Sequence, residues 1–190
     1  VVAGPNGSGK SSLYSDADFL GDGRSVWIIN PDLLAARIRD VENSTLEAAN
    51  LEAVRRIEAW LEASIRAHQP IGVETVLSTE KYRRLVTLAK RLKFEVRLIY
   101  VMLDSPRRNV ERVHLRVKKG GHAVADAKVM ERYVKSLRQM PWFLDQADQA
   151  LIYDNSGAAP RLMGRKRGGV VTLYDEPLPA LLEALEPFSQ

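Results

Sequence analysis

Gly4-Pro5-Asn6-Gly7-Ser8-Gly9-Lys10-Ser11 places three glycines and one cation in eight positions, directly after the apolar run Val1 to Ala3. The stretch fits GxxxxGK followed by Ser or Thr, and the chemistry explains the letters. Glycines let successive backbone N–H groups curl around phosphate oxygens, and a helix starting near Lys10 turns its positive dipole end toward them. Lys10 adds a full charge, and the Ser11 hydroxyl is suited to ligating Mg²⁺. A dinucleotide fingerprint is excluded, because Gly7 and Gly9 supply only its first half and Ser12 stands where the last glycine belongs. The expectation is a nucleotide phosphate held by residues Gly4 to Ser12.

Three carboxylates could complete a site around that loop. Asp32 follows the apolar run ending at Asn30, where the carboxyl end of a parallel strand would aim it at the phosphates, ready to orient or deprotonate an acceptor hydroxyl. A plain acidic residue in a helix's first turn would read the same way. Glu74 lies within "GVETVLS", and a carboxylate in a buried strand needs a compensating cation such as Mg²⁺ or a substrate-facing partner. Thr75 and Ser78 offer hydroxyls to the same crevice. Asp104 ends the run "LIYVML" and competes with Glu74 for the metal, with a helix N-cap before Pro106 as its structural alternative.

Basic residues crowd positions 107 to 138 on either side of "GGHAV". Two helices joined by a Gly-Gly hinge, with arginines toward the joint, describe a lid that closes over a triphosphate and stabilises the phosphoryl group in transfer. Arg116 and Arg132 are the chosen residues, with Arg112 and His122 behind them. "DADFLGD" at Asp16 to Asp22 imitates a calcium loop, but Trp27 stands where the bidentate Glu belongs. His68, His114 and His122 lack metal-ligand spacing.

The elements that must position these residues alternate. Strands are expected at Val1 to Ala3, Ser25 to Asn30, Ile71 to Leu77, Glu95 to Leu103 and Ala150 to Asn155. Helices are expected at Lys10 to Asp18, from Pro31, from Ser44 to His68, Lys81 to Leu92, Arg107 to Lys118 and Asp126 to Asp145. Strict alternation means crossovers, hence an α/β fold with a mostly parallel sheet and helices on both faces, the three-layer architecture of P-loop proteins. After a glycine- and arginine-rich link, "RLMGRKRGG", an edge strand and a closing helix finish the chain over about 168 to 188. One domain covering 1 to 190 with a lid over about 107 to 140 is the organisation expected.

With 45% hydrophobic and 27% charged residues and no apolar run of membrane-spanning length, the composition is that of a soluble globular protein. The net charge of +4 suits an anionic small molecule as well as nucleic acid, and few aromatics accompany the basic stretch at Arg161 to Gly169, which places RNA last. Zero cysteines excludes a disulfide scaffold and thiolate metal sites and fits a cytoplasmic setting. Val1 opens inside a strand-like run, so residues are expected to precede it.

"GPNGSGKSS", "NPDLLA", "GVETVLS", "RVHLRVKKGGHAV" with "ERY" after it, and "YDNSG" together resemble the zeta-toxin family of P-loop kinases, from Val1 to about Ser156. The resemblance implies ATP and Mg²⁺ as cofactors, a nucleotide-activated sugar such as UDP-N-acetylglucosamine as phosphoryl acceptor, and an antitoxin protein as a candidate partner. It implies Lys10 and Ser11 as phosphate-loop lysine and metal ligand, Asp32 as base, Glu74 and Thr75 on the substrate side, Arg116 as first lid arginine, and Asp154 and Asn155 near the adenine. Arg132 takes the place of the second lid arginine, where His122 stands. A P-loop ATPase or nucleotide switch without an acceptor is the alternative.

Overall fold

In a computed structural model, residues 1–15, 26–174 and 176–186 are described. The calcium-loop imitation at 16–22, the end of the first expected helix, Ser25 and the final residues of the closing helix lie outside them.

Among the described residues the sheet has seven strands, in the order β2-β3-β1-β4-β5-β6-β7. β1 (Val2–Ala3), β2 (Ile28–Ile29), β3 (Gly72–Thr75), β4 (Arg97–Met102) and β5 (Gln149–Asp154) are parallel, and β6 (Arg161–Arg167) and β7 (Val170–Leu173) close the far edge antiparallel. β1 therefore lies between β3 and β4, which brings the phosphate-binding sequence at its end between the strand that carries Glu74 and the strand that leads to Asp104.

From Leu98 to Met102 β4 is buried without interruption because both of its faces are covered. Leu98, Tyr100 and Met102 join the main core with Ile57, Leu61 and Ile65 of α3 (Leu46–Arg66), Leu85, Val86 and Ala89 of α4 (Arg83–Arg91), and Met140, Phe143 and Leu144 of α6 (Asp126–Gln146). On the opposite face Val2, Ile99 and Val101 pack with Leu13 of α1 (Lys10–Ser15). The expected α/β architecture with helices on both faces is the one found.

Local chemistry sets the helix starts. Asn30 caps α2 (Pro31–Glu42), its Oδ1 accepting from the Asp32 and Leu33 amides at 2.9 and 3.3 Å, with Pro31 at the first helical position. Thr45 caps α3, so that helix begins two residues after the expected Ser44. α5 (Pro106–Lys118) is capped by Ser105, whose Oγ accepts from Arg108 N at 3.4 Å. Asp104 is thus not the cap.

Two further expectations change. The second strand, expected from Ser25 to Asn30, is reduced to Ile28–Ile29. "RLMGRKRGG" is a strand and a turn, where a link was expected: β6 runs to Arg167, and Gly168 and Gly169, at φ 57° and 82°, make the two-residue connection to β7. Its exposed Arg161, Arg165 and Arg167 hid an alternation whose other face, Met163, Gly164 and Lys166, is buried. α7 (Pro179–Leu185) then packs Leu181 into the main core. Among the described residues no helix is long and apolar enough to cross a membrane.

Candidate active site

The loop after β1 is a cradle that only glycine can line. Gly4, Gly7 and Gly9 have φ of 144°, 77° and 88°. A Cβ on Gly4 would collide with the Val101 carbonyl oxygen, one on Gly7 would lie 2.6 Å from the Asn109 carbonyl oxygen, and one on Gly9 would strike the Asn155 amide. Three side chains hold the cradle from outside. Asn109 Nδ2 donates to the Asn6 carbonyl at 2.6 Å, Asn155 Nδ2 donates to the Ser8 carbonyl at 2.8 Å, and Arg132 Nη1 donates to Asn6 Oδ1 at 3.2 Å. Each of these bonds spends a carbonyl or side-chain acceptor and leaves backbone N–H groups to the interior of the loop.

Lys10 is buried at the start of α1, and its Nζ donates to the Gly4 and Pro5 carbonyls at 2.8 and 3.0 Å. Burial pushes its pKa down to about 8; Glu74 and Asp32 oppose the shift, and the positive charge of Arg116 adds to it. Lys10 therefore feels residues of α2, β3 and α5 at once.

Glu74 is the hub of the site. Its Oε2 accepts from Ser11 Oγ and from Asn30 Nδ2, both at 2.9 Å, and its Oε1 lies 3.9 Å from Lys10 Nζ. Its side chain is 12% exposed, so the carboxylate is neither a solvated strand end nor a buried unpaired charge. Asp104 belongs elsewhere: its carboxylate takes bonds from Ser105 Oγ at 3.1 Å and Arg108 Nη2 at 2.9 Å. Of the two competing carboxylates, Glu74 is the one bonded to Ser11. Ser11 Oγ and the Glu74 carboxylate form a pair of hard oxygen donors beside the phosphate cradle, the donor set Mg²⁺ uses when phosphates and water complete its shell. Among the described residues there is no group of three or more metal-ligating His, Asp or Glu, so any ion here would lean on the nucleotide for its remaining ligands.

Thr75 does a structural job as well as sitting beside Glu74. Its carbonyl accepts from Gly4 N at 3.2 Å, and its Oγ1 accepts from Leu77 N at 3.0 Å, holding the turn in which Leu77 has φ 58°. Ser78 follows, half-buried.

Asp32, exposed in the first turn of α2, lines a cleft of about 360 Å³ together with Ala35, Ala36, Arg39, Leu46, Asn50 and the α5–α6 connection at Gly120 to Ala123. That connection is pinned by Arg116, whose Nη2 donates to the His122 carbonyl at 2.7 Å and whose own carbonyl accepts from Gly121 N at 2.9 Å. The two chosen arginines thus part company. Arg132 is already on the phosphate loop, whereas Arg116 holds the roof of the cleft. Arg112 approaches Gly9. The Asp154 carboxylate accepts from Ser156 N, Ser156 Oγ and Arg161 at 2.9, 2.6 and 3.3 Å. Burial alone would raise its pKa, but these donors outweigh it and hold the group below the usual carboxylate range.

Asn109, Asn30, Arg39 and Asn50 went unnoticed in the sequence. Asn109 had a signal: four residues before Val113, it is a polar side chain on the helix face that α5 buries.

Similarity to known proteins agrees with this geometry. A relative from Haemophilus influenzae, itself an uncharacterized protein, is 33% identical over 130 residues, covering 68% of this chain and 88% of the relative. In the crystal structure of the AvrRxo1-ORF1:AvrRxo1-ORF2 complex with sulphate ions, a chain 16% identical superposes with a TM-score of 0.70 over 96% of this chain, which spans 61% of its length. A chain of the PezAT chromosomal toxin–antitoxin system of Streptococcus pneumoniae, also 16% identical, gives 0.62 over 84% of this chain and 69% of its own. At such identities these likenesses concern the fold. Residues 1–140, which contain the phosphate loop, Glu74 and α5, match the AAA domain family AAA_33, and the chain belongs to that family of P-loop, kinase-like domains.

Proposed function

We propose that the protein is a zeta-toxin-like kinase that transfers the γ-phosphoryl group of ATP to a hydroxyl of a nucleotide-activated sugar or similar anionic small molecule. The observation that carries the reading is the joining of a phosphate cradle to an acceptor cleft: Lys10 feels both Glu74 and Asp32, and Asp32 opens onto the space under Gly120 to Ala123. A hydrolase needs only the first half of that arrangement. The ATP-bound form of the AvrRxo1-ORF1:AvrRxo1-ORF2 crystals, with a TM-score of 0.69 at 16% identity, lends support to ATP as the donor. The PezAT likeness supports an antitoxin as partner.

In this reading the loop amides and Lys10 hold the β- and γ-phosphates. Ser11 and Glu74 would hold Mg²⁺, which would supply positive charge to offset that of the phosphates. Asp32 accepts the acceptor's hydroxyl proton as that oxygen bonds to the γ-phosphorus and the bond to ADP breaks. Arg132, anchored on Asn6, and Arg116, beneath the roof, supply positive charge where the transferring group passes. Asn155, on the loop carbonyl of Ser8, sits on the side assigned to the nucleotide base.

Mg-ATP incubated with a panel of nucleotide sugars, with products weighed by mass spectrometry, tests the proposal. One panel member should gain a phosphoryl group with the wild type, and Asp32→Asn should lower transfer by about 100-fold or more while keeping ATP affinity, as loss of a general base does. Release of free phosphate alone, at a rate no acceptor changes, would leave an ATPase in its place.

A further inference from the structure

Asp32, Ala35, Ala36 and Arg39 stand at i, i+3, i+4 and i+7, so α2 presents them as one stripe along the cleft. Seven residues of helix advance about 10 Å. The cleft therefore has a carboxylate at one end and a guanidinium at the other, over a floor of two alanines that leaves room for the body of a ligand. Orientation follows from the fold. The Asp32 end belongs to the first turn of α2, next to Asn30 and its bond to Glu74, and so faces the phosphate loop; the Arg39 end lies two turns away, where Leu46 and Asn50 of the first turns of α3 form the side wall.

Arg39 is half-exposed, and its Nε and Nη2 donate to a single oxygen of Asp40 at 3.2 and 3.1 Å. That partner is the next residue in sequence and is itself well exposed, the kind of pair that contributes little and yields readily to a better acceptor. Both bonds leave from one edge of the guanidinium, and among the described residues the Nη1 edge has no partner. A planar fork of N–H donors with a free edge, at one end of a cleft, matches a phosphate oxygen pair better than any neutral group.

We propose that Arg39 is the residue that anchors the anionic group of the acceptor, within about 10 Å of the hydroxyl held at Asp32. This rests on the kinase reading and adds to it the residue that selects for the anion: a neutral sugar would fill the alanine floor but leave the Nη1 edge of the guanidinium unused. Asn50, beside Arg39, offers an amide to the same end of the ligand.

The test compares wild type, Arg39→Ala and Arg39→Lys with two probes, UDP-N-acetylglucosamine and free N-acetylglucosamine, by equilibrium binding in the presence of Mg²⁺ and a non-hydrolysable ATP analogue and by steady-state transfer. The wild type should bind and use the phosphorylated probe in preference to the neutral one. Arg39→Ala should raise Kd and KM for the phosphorylated probe about 10- to 100-fold, with kcat changed far less, and should not alter binding of the neutral probe. Arg39→Lys should recover part of the loss, since it keeps the charge and loses the fork. Arg39 is a surface residue of α2, so the variants fold. Unchanged affinity in Arg39→Ala, or equal use of the two probes by the wild type, overturns the assignment. Arg39-dependent binding without any phosphoryl transfer would sink the kinase reading and leave the anion anchor standing.

Discussion

Lys10 carries the largest part of the account in one side chain. Held between the Gly4 and Pro5 carbonyls and depressed to about 8, it is charged below that pH and neutral above it. Phosphate oxygens favour the charged form, so nucleotide binding should raise its pKa. Affinity for ATP should be flat below about pH 8 and fall as pH rises beyond it, with proton uptake on binding in the same range, measurable by calorimetry in buffers of different ionisation enthalpy. Lys10→Ala should lose both the affinity and its pH dependence. The stability contribution has its own sign. A lysine depressed from 10.5 to about 8 costs the folded state below 8, and that cost fades as pH rises toward 10.5. Lys10, Ser11 and the glycines were legible in the sequence because the phosphate-loop motif fixes Gly4, Gly9, Lys10 and a hydroxyl at Ser11 by their spacing. Glu74 was legible as a carboxylate needing compensation, but its partners were not: Ser11 and Asn30 stand 63 and 44 residues away and meet it only through strand order.

Arg116 of α5 ties its own helix to the connection that leads into α6, through the His122 carbonyl and Gly121 N. A Cβ on Gly121 would lie 2.5 Å from Arg116 Cγ and 3.0 Å from the Arg116 carbonyl oxygen, so Gly121→Ala must displace the side chain that pins the His122 carbonyl. Steady-state kinetics of Gly121→Ala should show turnover falling more than ATP affinity, because in the proposed mechanism the Arg116 charge acts on the transferring group while the phosphate cradle is untouched. Gly120, with φ 87° and open space around it, supplies the helix stop instead. The sequence marked the Gly-Gly joint and the arginines around it together, yet it could not say which arginine faced which partner. Arg116 and Arg132 lie sixteen positions apart on two helices, and the crossing of α5 with α6 decides that one reaches Asn6 and the other the roof. Elements built on side-chain alternation with mixed signals were harder still. β6 hid behind its arginines because Lys166, a residue normally read as exposed, points inward.

That lysine ties the antiparallel edge to the helical layer. Lys166, 7% exposed, donates to the Leu144 and Asp145 carbonyls at 2.9 and 2.6 Å, satisfying acceptors in the last turn of α6 that no intrahelical amide can reach. Lys166→Met should keep the packing of its stem and strip those carbonyls, at about 1–3 kcal/mol. A fall in Tm of about 2–4 °C for each kcal/mol follows for a chain of this size, read by calorimetry, with nucleotide affinity unaltered because β6 lies three strands from β1. Arg161 is likewise occupied, by Asp154 and the Glu176 carbonyl at 3.3 and 2.9 Å. Two of the four basic residues between Arg161 and Gly169 thus hold the sheet together. The parallel sheet itself was legible from strict alternation of strand and helix, since parallel neighbours require crossovers. The antiparallel closure was not, because turn glycines and arginines in a row satisfy the pattern of a loop as well as that of a hairpin.

A crystal structure with Mg²⁺ and a non-hydrolysable ATP analogue is the most direct measurement. The account predicts the terminal phosphoryl group among the amides of Gly7 to Ser11, Lys10 Nζ released from Gly4 and Pro5 onto its oxygens, and the Asp32 end of the α2 cleft opening onto that phosphorus. A triphosphate bound with Lys10 still on the loop carbonyls, or with the α2 cleft on the far side of the protein from it, would contradict it.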